Sequence, residues 1–439
     1  MNREEIDKKY RNMIKENLAE YKKDYFNMKE NVRNSKATYK GEPVPFLYMP
    51  KFYTDEDVEN FKNITTTMSN IFRKVVDKFI KDENYREKFG FSDWLNELIL
   101  LPTKYNSPFP IARFDIFYNY DGSFKFCEIN TDGSSAMNEE RELSRIFLDT
   151  KAANEFKKEF DFFPFELFES WASELLNIYS ENHNNNEPSI AIVDFVNKSS
   201  MDEFIEFRRV FRKRGLWCEI VSPDEINYKE DGYLYFEDKK IDIVYRRLVT
   251  KDLMDNKEKI EDFIKGIKKG KTEIIGPIKS QIAHNKIVFK ILQEEYTLEF
   301  LNEEEREFIK RHIPYTKELI LDNLDIEKII KNKDDYIIKP MDLYASKGVY
   351  AGKEYNSDKW ENLLKENDNN NYLIQEYFNP PETLMIDFEE DDVEVYFKNI
   401  TGLYVYNEKF YGIYSRAGKK AIISGIHDGY TLPTFHVRK

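Results

Sequence analysis

The stretch ARFDIFYNYDGSFKFCEINTDGSS, residues 112–135, decides how the rest of the chain is read. Two apolar runs flank the turn Asn119-Tyr120-Asp121-Gly122, the pattern of a β-hairpin. Each run carries polar side chains two residues apart: Arg113 and Asp115 on the first, Glu128 and Asn130 on the second. Side chains at i and i+2 of a strand share a face, so the hairpin predicts all four on one side of a sheet. Two carboxylates and an amide oxygen form a hard donor set suited to Mg²⁺, which keeps positions for phosphate and water. A guanidinium beside them binds phosphate oxygens bidentately. The same four residues also read as a solvated face with a cross-strand ion pair, and the stretch alone leaves both readings open.

Composition narrows what such a face can serve. The chain has 439 residues, which favours two or three subdomains around a shared cleft over a single core. Apolar residues make up 41% of it, yet no run approaches the roughly 18 consecutive apolar residues of a membrane span, so no membrane partner is expected. The formal charge is −14 and the basic residues are scattered among acidic ones, which argues against nucleic acid as a partner. A small ligand or a metal complex fits better. The charged, helical opening MNREEIDKKYRNMIKENLAEYKKDYFNMKENV is unlike a basic, apolar secretory leader, and a cytoplasmic location is expected. Cys127 and Cys218 are the only cysteines, far apart and without a CxxC clip, and both are expected as core thiols.

Residues 1 to about 100 read mainly as helices, interrupted by a Pro-containing loop, YKGEPVPFLYMPKFY. Helical periodicity follows the hairpin, and the polar SENHNNNEPS, residues 180–189, marks a boundary. The period then changes: SIAIVDFV is a strand, MDEFIEFRRVFRKRGLW an amphipathic helix, CEIVSP a strand and IDIVYRRLV another. That alternation predicts a small Rossmann-like α/β unit, although GxGxxG is absent. Mixed α/β structure resumes after it, with strands at DYIIKP, GVYAGK, YLIQEYF, VEVYFKNITGLYVYN and KFYGIYSRA. The expected division is 1–185, helices plus the hairpin; 186–275, the α/β unit; and 276–439, the remainder.

Two further segments carry chemistry. In YIIKPMDLYASKGVYAG an apolar strand ends at Lys339-Pro340, and a loop with Ser346, Lys347 and Gly348 leads to the next strand. A lysine leaving a buried strand toward small residues suits phosphate held by charge and covered by backbone N–H groups; an ordinary hairpin reads equally from the segment alone. YLIQEYF carries Gln375, Glu376 and Tyr377 and reads as a core strand or as a hinge against an adenine edge. Arg246 and Arg247 end the strand IDIVYRRLV and read as substrate contacts or as surface charge. His284, His312 and His427 show no metal-ligand spacing and are expected to be structural.

The order RFD…E-I-N, then HNK, IIKP…SKGV, IQEYF and GIYSRAG resembles the circularly permuted ATP-grasp ligases, most closely the synthetase part of glutathionylspermidine synthase. In ordinary ATP-grasp enzymes the E-x-N strand follows the lysine and hinge strands; here it precedes them. The resemblance covers roughly residues 105–439. It implies an α/β ATP-grasp fold, circularly permuted, with a Rossmann-like pre-ATP-grasp domain and a helical N-terminal region. It implies Asp115, Glu128 and Asn130 as Mg²⁺ ligands and Arg113 as the arginine on the transferred phosphoryl group. Lys286 of HNK and Lys339 match the nucleotide-phosphate lysines, Ser346 to Val349 the loop over the phosphates, and Gln375 to Tyr377 the adenine hinge. Arg416 matches an arginine near the reacting carboxylate.

The activity implied is ATP-dependent joining of a small carboxylate to an amine through an acyl phosphate, with ATP and Mg²⁺ as cofactors; a homodimer is compatible with it. A phosphotransferase acting on a hydroxyl and a nucleotide-binding regulatory protein are the alternatives. Two features depart from the family pattern. Residues 1–100 contain no cysteine for an N-terminal amidase, and Gly276 stands before Pro277 where relatives commonly carry an acid.

Overall fold

A computed structural model describes residues 2–39, 41–196, 201–343, 346–391, 393–423 and 429–438. The fold is mixed α/β with ATP-grasp architecture, built on three principal sheets. The central one draws its strands from both ends of the chain. Its order is Tyr430–Leu432, Lys409–Gly418, Glu394–Tyr406, Ile111–Tyr118, Phe124–Asn130, with Glu382–Ile386 also paired to Glu394–Tyr406. The hairpin thus docks on a long strand nearly three hundred residues away, with Asp115 opposite Gly402.

One face of the hairpin is core. Ala112, Phe114, Ile116, Phe126 and Ile129 are buried against the long helix Asp55–Lys81, which offers Phe61, Met68, Phe72 and Val75 at helical spacing. Thr54 caps that helix in a reciprocal box with Asp57. The first hundred residues therefore back the hairpin, and one part departs from the expected loop. Lys51–Thr54 is a fully buried strand, paired in parallel with Thr434–Arg438, which pairs in turn with Asp161–Pro164. Its partners lie far off in sequence, so no local turn signal announces it.

The second sheet is parallel, in the order Glu273–Ile275, Ile243–Arg246, Ile190–Val193, Cys218–Val221. Helix Met201–Lys213 makes the crossover between the last two. The third is antiparallel, in the order Thr316–Glu318, Tyr372–Glu376, Tyr336–Pro340, Tyr350–Ala351. Ile338, Ile374, Leu363 and Trp360 form its own small core with helix Ser357–Glu366. It stands against the central sheet across a cleft. Among the described residues, no helix is long and apolar enough to cross a membrane.

Candidate active site

The hairpin places its four polar residues as their spacing predicts. Arg113 pairs with Asn130 and Asp115 with Glu128, directly opposed in the ladder and on one face. A β-bulge at Cys127 makes this work. Phe124 and Phe126 fill the core, and so does Ile129, which sits at the wrong parity for an unbroken strand. The extra residue shifts the phase and lets Glu128 and Asn130 turn to the cleft. Cys127 is accordingly not a core thiol: it is half-buried on the cavity wall, its thiol pushed up to about 11 by burial. Cys218 is buried as expected.

Asp115 is almost wholly buried and receives four donors. Arg113 gives Nε at 2.7 Å and Nη2 at 3.1 Å, Arg416 gives Nη2 at 2.7 Å, and Asn130 gives Nδ2 at 3.3 Å. The Tyr414 ring lies 5.4 and 5.3 Å from the Arg113 and Arg416 guanidinium carbons. Gly402 makes room for the group, because a Cβ there would stand 2.7 Å from Asp115 Oδ1 and 2.8 Å from Arg113 Cδ.

Two lysines complete the charge. Lys286 Nζ lies 2.8 Å from Glu128 Oε1 and donates to the Leu343 carbonyl at 2.8 Å. Burial opposes ionisation of Glu128, but the Lys286 ammonium, aided by His284 and Lys339, holds its carboxyl at about 2. Lys339 Nζ donates to Gln375 Oε1 at 2.8 Å, and Gln375 is fixed by its own bond to Thr316 Oγ1, also 2.8 Å.

These groups line two cavities that meet. The first, about 810 Å³ including its open mouth, is bounded by Asp115, Glu128, Lys286, Lys339, Arg416 and residues 375–377, with Ile337, Val349 and Ile400 as apolar walls. The second, about 1920 Å³ and open to solvent, takes in Arg113, Asn130, Glu139 and His284. Glu128, Leu343, Ser346 and Arg416 belong to both walls.

Other sequence candidates fall in different places. Gln375, Glu376 and Tyr377 line the first cavity, although the Glu376 and Tyr377 N–H groups already donate to the Tyr315 and Asp335 carbonyls at 2.8 Å. Ser346, in the left-handed region at φ 58°, lines both cavities, whereas Lys347 is exposed and neither it nor Gly348 lines either. Tyr344 and Ala345 of the phosphate-loop segment, and His427, lie outside the described residues.

Arg246 and Arg247 follow neither of their two readings. Both are buried and line neither cavity; Arg246 pairs with Asp132 and Arg247 with Glu203, each at 2.7 Å. Arg247 also holds the Ser134 carbonyl, and Arg113 the Ser135 carbonyl, so the loop after the hairpin is clamped between two sheets. Gly276 sits at φ 101°, and a Cβ there would stand 3.0 Å from the Arg246 carbonyl oxygen, which accounts for glycine there.

The sequence reading missed part of the second cavity. Tyr39, Glu42 and Val44 reach its wall from the N-terminal region, and His284, read from the sequence as structural, stands on that wall; His312 is stacked on Phe124 at 3.8 Å. Glu139 is there too, and burial with the nearby Glu203 carboxylate pushes its carboxyl up to about 8. Only the run of small residues after EIN hinted at this chamber.

Among the described residues, no three His, Cys, Asp or Glu side chains cluster as a metal site. Mg²⁺ in nucleotide sites takes one or two carboxylates with phosphates and water, so the opposed pair Asp115 and Glu128 has suitable chemistry. Asp115 must yield part of its guanidinium contact to take that role.

The family model for "Glutathionylspermidine synthase preATP-grasp" matches residues 6–426. The chain belongs to this family. Glutathionylspermidine synthase-like proteins are generally ATP-dependent ligases. A glutathione synthetase-like effector from Globodera pallida, solved in its apo form, is similar in fold, with a TM-score of 0.59 and 14% identity over 89% of this chain and 90% of that one. At that identity the likeness concerns fold alone. No curated protein matches the chain by sequence.

Proposed function

We propose that the chain is an ATP-dependent carboxylate–amine ligase that forms an amide through an acyl phosphate. The observation that carries this reading is the pair of cavities joined at Glu128 and Arg416: one has a lining of lysines, carboxylates and apolar walls that suits a nucleotide, the other has room for further substrates.

A carboxylate is a poor acyl donor, and phosphorylation makes it one that an amine attacks with loss of phosphate. Phosphoryl transfer depends on positioning and on neutralising charge as it moves. Lys339, fixed by Gln375, and Lys286, fixed by the Leu343 carbonyl, hold the phosphate end of the first cavity. Arg416, whose buried Nε has no hydrogen-bond partner among the described residues, stands where the cavities meet and serves the carboxylate being phosphorylated. Arg113, anchored on Asp115 and the Ser135 carbonyl, orients the acid from the second cavity. Glu128, with Asp115 and Asn130, would hold Mg²⁺, which would supply charge neutralisation at the phosphate oxygens. The described parts of the segment 341–348, residues 341–343 and 346–348, belong to the candidate cover that keeps water from the acyl phosphate. The acid is a peptide or amino acid and the amine a polyamine or amino acid.

The test is ADP and phosphate release from Mg-ATP across pools of small carboxylic acids and amines, with Glu128→Gln as control. Release that needs one acid and one amine, and drops at least about a hundredfold in the control, supports a ligase. Nucleotide binding without turnover in any pool contradicts it and favours a regulatory binder; a phosphorylated product without an amide favours a phosphotransferase.

A further inference from the structure

A smaller polar cavity lies on the far side of the central sheet. Phe117 and Ile400 line the first cavity of the cleft, whereas their chain neighbours Tyr118, Asn399 and Thr401 line this one. Successive strand residues point to opposite faces, so one sheet thickness separates the two spaces. Arg3, Lys51, Tyr120 and Thr383 close the wall.

The polar groups here are buried but incompletely matched. Arg3, Lys51, Thr383 and Asn399 are 4%, 3%, 7% and 5% exposed. The Lys51 ammonium makes no hydrogen bond among the described residues. Its nearest carboxylate oxygen is Asp7 Oδ2 at 3.9 Å, which already accepts from Tyr120 Oη at 2.7 Å. Arg3 donates through Nη2 to the Asn119 carbonyl at 2.6 Å and lies over the Tyr118 and Tyr120 rings. Among the described residues its Nε has no hydrogen-bond partner, and the nearest carboxylate oxygen, Asp57 Oδ1, is 3.8 Å away. Asn399 donates Nδ2 to Thr383 Oγ1 at 2.8 Å, which leaves the Thr383 hydroxyl proton available. Asp7 and Asp57 stand behind the cations, and the acid on the wall itself is the exposed Glu382.

Buried charges persist when they are paired and hydrogen-bonded. Lys51 lacks the second condition, and burial pushes its ammonium down to about 8. We propose that this cavity binds a small oxyanion, a phosphate or a carboxylate group, between Lys51 and Arg3, with Thr383 as a further donor. The ligand supplies the hydrogen-bonded counter-charge that Lys51 lacks. The inference does not rest on the ligase reading.

The test is thermal unfolding of the full chain titrated separately with inorganic phosphate and with acetate, at ionic strength held constant with chloride. The wild-type protein should show a saturable rise of a few degrees with at least one anion, and the more effective anion distinguishes phosphate from carboxylate. Lys51→Met takes away the main charge partner of the buried Asp7 carboxylate and so lowers stability; where it folds, it should lose most of the response. Thr383→Val, which removes one hydroxyl, should weaken apparent affinity severalfold and gives the reading if Lys51→Met fails to fold. No response to either anion in the wild type, or a response unchanged in the variants, overturns the proposal; in that case water bridges Lys51 and Asp7.

Discussion

Two arginine–carboxylate clusters stand close together in this molecule and do different work. Arg113, Asp115 and Arg416 form one; Arg246 with Asp132 and Arg247 with Glu203 form the other. Their contact distances match, and the carboxylates are equally buried. The guanidinium groups of the first lie on cavity walls, whereas those of the second line neither cavity and are spent on loop carbonyls, only its Asp132 carboxylate reaching the wall of the second cavity. A buried ion pair by itself is therefore a poor sign of function, and what distinguishes the clusters is whether a guanidinium still faces open space.

The comparison breaks most readily at Arg247. Arg247→Met leaves Glu203 buried beside an uncapped loop and should cost about 3–5 kcal/mol in urea unfolding. Arg416→Met should cost less, about 1–3 kcal/mol, because Asp115 keeps Arg113. Equal losses would erase the distinction. Gly402→Ala pushes a methyl into the Arg113–Asp115 pair and should cost about 1–3 kcal/mol, with turnover falling further than stability.

The smallest effect concerns pH. The Glu128 carboxyl sits at about 2, below the ordinary value of 4.5. A depressed carboxyl contributes stability that is present above its unfolded value and lost as pH falls through the folded one. The stability gap between wild type and Lys286→Met should thus stay constant above about pH 5 and narrow toward pH 2. A gap that widens on acidification would show that Lys286 does not hold Glu128.

Much of the cleft was legible in the sequence because strand spacing is local information. Arg113, Asp115, Glu128 and Asn130 declared a shared face at i and i+2, and the strands carrying Lys339 and Gln375 followed from apolar runs. The bulge at Cys127 was written in FKFCEIN, where apolar parity changes between Phe126 and Ile129, but a simple hairpin reading passes over it. What stayed hidden depends on distant partners. Lys51–Thr54 becomes a strand through the C-terminal Thr434–Arg438, and Arg246 and Arg247 are buried because Asp132 and Glu203 come to them from other elements. Tyr39, Glu42 and Val44 enter the second cavity by packing that no local pattern encodes.

The central claim is that the space between Lys339 and the hairpin holds a nucleotide. The most direct measurement is calorimetric binding of a non-hydrolysable Mg-ATP analogue to the wild-type protein, Lys339→Met and Arg247→Lys. Lys339→Met should weaken binding at least about tenfold, the loss expected for a charge-assisted contact, while Arg247→Lys leaves it nearly unchanged. Equal affinity in wild type and Lys339→Met, or no binding in the wild type, would contradict the account.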